Sequence, residues 1–222
     1  MLKKGDKKLI NAWAFYDWAN SVYSLVIGTA VFPLYYSNIT EGATVSFLGT
    51  TWEHPDTLYS YALSFSFLVV AFMSPILSAI ADYTGNKKRF LQIFCWIGSL
   101  SVMSLYFFDG IDTVWIGIVF TVLASIGFWS SIVFYNAYLP EVAFPKDQDR
   151  VSAKGFILGY LGSVILLIIN LGMILKPELL GITSGAASQI SFVMVGLWWL
   201  GFAQITFRRL PNNIFDKITN FI

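Results

Sequence analysis

Six stretches of the chain, at roughly 10–37, 57–81, 90–108, 113–137, 153–175 and 187–207, are long and apolar enough to cross a bilayer. Crossing hydrocarbon takes about 20 mostly apolar residues. Within it, every backbone N–H and C=O must be satisfied inside a helix or a closed barrel. These runs are too long for barrel strands and show no ten-residue alternation. The expected fold class is therefore all-α integral membrane, with six transmembrane helices in a single domain over 1–222. Pro33 and Pro75 are expected to kink or end helices one and two. Only 12% of the 222 residues are charged and 56% are hydrophobic. Soluble domains carry about twice that share of charge, so this chain cannot cover a water-facing globule.

The polar connections hold most of the charge, and they hold it unevenly. Lys3, Lys4, Lys7 and Lys8 precede the first run, and Lys87, Lys88 and Arg89 separate the second and third. Lys146, Arg150 and Lys154 separate the fourth and fifth, and Arg208, Arg209 and Lys217 follow the last. Of 14 basic residues, only Lys176 falls on the opposite side, with Glu41, Glu53, Asp56, Asp109, Asp112 and Glu178. By the positive-inside rule both termini are cytoplasmic, in a multi-pass protein of the cell (inner) membrane. MLKKGDKKLI looks like the start of a signal peptide. The run behind it is too long, contains Asp17 and Asn20, and lacks a cleavage site, so it reads as a retained helix. The longest outer loop, about 38–56, opens on the tripeptide Asn38-Ile39-Thr40, a formal sequon of little weight.

Several functions are excluded by what is missing. Net charge is +1, so nothing attracts nucleic acid. Cys95 and His54 are each the sole residue of their kind. A metal site, a disulfide and a Ser–His mechanism all need more partners. No apolar run carries two acids, regularly spaced arginines or a filter-like sequence. The chain reads as neither an enzyme nor a voltage sensor, with no cofactor and no metal. The aromatics, 18% of residues, read as interfacial belts and packing.

Two segments carry more specific signals. The loop after helix two reads SAIADYTGNKKRF, with Ser78, Asp82, Gly85, Lys87, Lys88 and Arg89 spaced like the cytoplasmic signature of the major facilitator superfamily. A small residue at 78 allows close helix approach, Gly85 permits a tight turn, and Asp82 can pair with a cation or cap a helix. Such a loop latches one conformation; an ordinary positive-inside loop would explain the three cations alone. Helix five begins DRVSAKGFILGYLGSV, with Gly155, Gly159 and Gly162 on one helical face, suited to close helix–helix packing in lipid.

Taken with YDWANSVYSLVI and FYNAYLPEVA, these segments are similar to the bacterial relatives of the vacuolar amino-acid effluxers linked to autophagy, a branch of the major facilitators. The resemblance runs along nearly the whole chain. It implies the N-terminal half of a major facilitator fold, built as a 3+3 inverted repeat, although no internal repeat is evident in the residues. It also implies movement of a small solute, an amino acid or related metabolite, by alternating access, with protons as candidate coupling ion. The chain stops at RRLPNNIFDKITNFI, so 208–222 is expected to be a tail or the start of the family's central cytoplasmic loop. A C-terminal half or a homodimer partner is then expected within the lipid bilayer. The alternative is a non-transporting truncated or split-gene fragment.

One acid demands an explanation. Asp17 lies about 10 Å inside a boundary near Ile10, where an aspartate facing lipid costs up to about 2.5–3.5 kcal/mol. On a helical wheel Asp17, Asn20 and Ser24 share a stripe, expected to face a central cavity. Helix four descends so that Tyr135 and Asn136 reach the depth of Tyr16 and Asp17, with Glu141, Arg150 and Lys154 below as candidate ion-pair partners. Asp17 either binds a proton or a substrate cation in alternation, or anchors the fold through Asn20, a tyrosine or Lys154. Its position nearer the cytoplasm than the midplane favours the anchor.

Overall fold

A computed structural model describes residues 3–211, apart from the side chains of Asp82 and Thr84. Residues 212–222 of the expected tail lie outside the described residues. Six helical spans are long and apolar enough to cross a membrane.

The first span has three parts. Helix α1, Lys7–Val22, starts where the Asp6 carboxylate accepts a hydrogen bond from the Lys8 N–H at 2.8 Å. A π-helical stretch follows over Tyr23–Val31, and then α2, Phe32–Thr40. Pro33 has no N–H to offer the preceding turn, and the winding widens there instead of breaking. Within it, the Thr29 hydroxyl donates to the Ser24 carbonyl five residues back, at 2.9 Å. The sequon falls on α2, where Thr40 is buried and donates to the Tyr36 carbonyl.

The outer loop then folds into a β-hairpin, β1 Val45–Phe47 against β2 Thr50–Trp52. Its turn takes positive φ at Leu48 (52°) and Gly49 (77°), the backbone that two-residue hairpins favour. No strand was expected from the sequence.

Helix α3, Pro55–Thr84, runs through Pro75 and ends on Gly85 in the left-handed conformation, φ 66°. Helix α4 spans Lys87–Ser104 and is followed by a 3₁₀ turn, Leu105–Phe107. Helix α5, Val114–Val142, continues past Pro140 because the Ala143 N–H still bonds the Leu139 carbonyl. Helix α6, Gln148–Leu175, starts ahead of its apolar run, since Asp149, Arg150 and Lys154 are tolerated in an exposed helical turn. Helix α7 is Ser184–Arg209, capped by Thr183, whose hydroxyl oxygen accepts from the Ala186 N–H.

The packing has a hidden order. The first span lies against α6 and α7, while α5 lies against α3 and α4; α4 packs on α7, and α1 touches α5. Numbered as spans one to six, these neighbours are unchanged when each span is exchanged for the one three places on. Successive spans alternate in direction, so the exchange inverts the triplet across the membrane. The bundle is two inverted three-helix units.

At its centre the helices meet backbone to backbone. A Cβ added to Gly127 of α5 would lie 2.4 Å from the Gly98 nitrogen of α4. A Cβ on Gly196 of α7 would lie 2.6 Å from the Ser99 carbonyl oxygen. Between lipid-soluble helices, where apolar burial drives little, such approach gains dispersion contact. Trp199 fills the space over Gly98 and is wholly buried. By contrast, α3 exposes Phe65, Phe72 and Ile76.

A polar junction of three helices

The glycine face of α6 receives α1. A Cβ at Gly155 would stand 2.6 Å from both Asp17 Oδ2 and the Tyr135 hydroxyl. At Gly159 it would stand 2.5 Å from Ser21 Oγ and 3.0 Å from the Asp17 carbonyl oxygen, and at Gly162 3.0 Å from that of Trp18. The three glycines form a groove whose floor is close enough for the α1 backbone to lie in it.

Within that groove, the Tyr135 hydroxyl of α5 donates to Asp17 Oδ2 at 2.8 Å. Tyr135 is itself held twice by Trp13. The two rings stack at 4.2 Å with 10° between planes. The Trp13 indole N–H also donates to the Tyr135 carbonyl at 2.9 Å. Trp13 and Tyr135 are both buried, and Asp17 is half-buried. Helix α7 braces α1 one turn lower, where the Thr206 hydroxyl donates to the Ala12 carbonyl at 2.8 Å. Trp13 was not singled out from the sequence; its place one turn before Asp17 was the available signal.

The other expected members of the site are dispersed. Tyr16, one position and thus about 100° round the helix from Asp17, is fully buried, with its ring 5.4 Å from that of Tyr135 and 6.0 Å from Phe207. Asn20 is also fully buried, and its Oδ1 accepts from Ser21 Oγ at 3.4 Å. Ser24 is exposed on the π-helical stretch. The expected stripe thus divides: a spacing of three leaves Asn20 about 60° off the Asp17 line, enough to turn it into the core. Asn136 is exposed, away from Tyr135 for the same reason.

None of the expected cations reaches Asp17, and Glu141 is engaged elsewhere. Lys87 pairs with Glu141 at 2.9 Å, Arg150 with Asp147 at 3.0 Å, and Lys154 hydrogen-bonds Asn11. Lys154 stands one residue before Gly155, which aims it at the rim instead of the groove.

The inner end of α5 gathers the remaining contacts. Besides the Glu141 pair, Gly5 N–H donates to the Val142 carbonyl at 2.9 Å and the Tyr138 hydroxyl to the Pro211 carbonyl at 3.2 Å. Lys88 donates to the Leu210 carbonyl at 2.8 Å. Ser78 is half-buried on α3, Arg89 is exposed, and the Asp82 side chain lies outside the described residues. Among the described residues, no cluster of His, Cys, Asp or Glu could hold a metal.

Six membrane-crossing helices in two inverted triplets are the half-unit of the major facilitator fold. The family model described as "Vacuole effluxer Atg22 like" matches residues 5–148 and 145–221, and the chain belongs to that family. It is 40% identical to YxiO of Bacillus subtilis, named as an MFS-type transporter, over 201 residues that make up 90% of this chain and 45% of that protein. It is 23% identical to autophagy-related protein 22-1 of Aspergillus terreus, over 68% of this chain and 35% of the relative. The chain thus spans less than half the length of these relatives. No solved structure gives a significant match.

Proposed function

We propose that the chain serves as one six-helix half of a secondary transporter, moving a small solute, an amino acid or related metabolite, by alternating access across the inner membrane. Both termini lie in the cytoplasm. Because the chain spans 45% of YxiO, transport belongs to its assembly with a second six-helix half or a second copy, and the chain alone is inert.

The observation that carries this reading is the Asp17–Tyr135 hydrogen bond at the contact of α1, α5 and α6. It joins helices from both inverted triplets, so rocking of one triplet against the other must strain or release it. In this arrangement Asp17 anchors the junction. A proton or a substrate cation taken up by Asp17 would compete with Tyr135 for the carboxylate and release the anchor. At the inner face, the Lys87–Glu141 pair ties the loop between α3 and α4 to the end of α5 and acts as the latch.

Proteoliposomes loaded with radiolabelled amino acids test the reading. The chain alone is expected to give no exchange, and the chain with a six-helix partner to give exchange that Asp17→Asn changes in its pH profile. Exchange in the partnered assembly that Asp17→Asn and Tyr135→Phe both leave untouched at every pH removes the junction from the mechanism.

A further inference from the structure

We infer that the inner ends of α1 and α6 form a binding site for a phosphate-bearing anion. A cleft of about 330 Å³ lies between them, lined by Lys7, Ile10 and Asn11 of α1 and by Arg150, Val151 and Lys154 of α6. Lys7 and Asn11 stand four residues apart, as do Arg150 and Lys154, so each pair occupies one helical face. Two facing ladders of donors result, from segments far apart in the chain.

No carboxylate lines this cleft. The neighbouring acids are occupied or turned away. Asp147 takes one N–H of Arg150 from outside, at 3.0 Å, and the Asp6 carboxylate caps α1 through the Lys8 N–H. Asp149 is exposed and is not part of the lining. Arg150 has five N–H donors in all, and Lys154 has three, of which one goes to Asn11. That bond uses the Asn11 oxygen and leaves its amide N–H groups to the cleft. An ordinary solvated basic face would splay its cations apart; here they converge on one space.

The floor adds a second property. Ile10 and Val151 are apolar and lie beneath the cations, at the boundary where the first and fifth spans begin. A phosphate held by the rim would place its ester substituent against that floor. Basic pockets between helices on the positively charged side of a membrane suit anionic headgroups, and arginine suits phosphate oxygens through paired donors. Two sources share this chemistry, an acidic phospholipid and a free phosphate. The site also abuts the junction, since Lys154 directly precedes Gly155.

The test uses the purified chain in detergent, with native mass spectrometry of bound phosphatidylglycerol against phosphatidylcholine, and with inorganic phosphate titrated against chloride at constant ionic strength. Arg150→Gln and Lys154→Gln are each expected to weaken phosphatidylglycerol binding about fivefold, and Lys146→Gln, an exposed cation outside the cleft, to leave it unchanged. Arg150→Lys, which keeps the charge, checks that any loss does not come from misfolding. Phosphatidylglycerol preference lost only in the cleft variants identifies the lipid. Saturable phosphate binding lost in the same variants, without lipid preference, identifies the free anion. Equal retention of both lipids with no such phosphate binding, or a loss in Lys146→Gln matching that in Arg150→Gln, overturns the proposal.

Discussion

Tyr135 and Asp17, 118 residues apart, meet through one hydrogen bond of 2.8 Å inside a glycine-lined groove. Phenylalanine at 135 keeps the ring stacked on Trp13 but strips the carboxylate of its donor. Tyr135→Phe is expected to destabilise the chain by about 1–3 kcal/mol, read by thermal unfolding in detergent. Asp17→Asn in the same background should recover part of that loss, because a neutral amide tolerates burial better than a lone carboxylate. Additive effects of the two substitutions would mean that the bond carries no energy.

Glycines that resemble each other in sequence should differ sharply on substitution. Gly159→Ala and Gly127→Ala push a methyl into backbone atoms and are expected to cost about 1–3 kcal/mol or more each. Gly172→Ala has open space around its Cβ, so the better helix propensity of alanine makes it neutral to slightly stabilising. The same unfolding assay separates these, and a Gly127→Ala chain as stable as the parent would contradict the close approach of α4 and α5.

The Lys87–Glu141 pair shows side-chain exposures of 17% and 9%. A fully exposed pair contributes about 0–1 kcal/mol, and this one should contribute more. Lys87→Glu and Glu141→Lys are each expected to destabilise, and the double reversal to restore about half of the combined loss. Absence of any restoration would deny the pair its role.

Accessibility of introduced cysteines checks the topology directly. Cys95 is fully buried and should stay silent to membrane-impermeant maleimide. Lys87→Cys is expected to react only from the cytoplasmic side and Lys176→Cys only from the outside. Labelling of both from one side would remove the six-span arrangement.

The spans were legible because insertion in lipid depends on the length and polarity of a run, which needs no knowledge of neighbours. Asp17 and Tyr135 were legible by counting depth along two antiparallel helices. Lateral adjacency was not. Glu141 lay near three cations by sequence, and only the seating of the α3–α4 loop beside α5 chose Lys87. Gly98 and Gly127 each stand alone in an apolar run, and nothing in either marks it as half of a contact. The hairpin's alternation at Val45, Phe47 and Trp52 was visible in principle, but a Leu-Gly turn lacks the asparagine that announces such turns. Asn20 followed Asp17 on the wheel too loosely, and packing resolved the difference.

The wide winding at Tyr23–Val31 gives the first span a property the other five are not built to share. A π turn carries one residue more than an α turn, and that surplus is free to migrate along the segment. Each step of migration hands a residue from one flank to the other and swivels α2 by about 100° relative to α1. The outer third of the span is therefore able to turn like a key while Asp17, below it, stays seated against Tyr135.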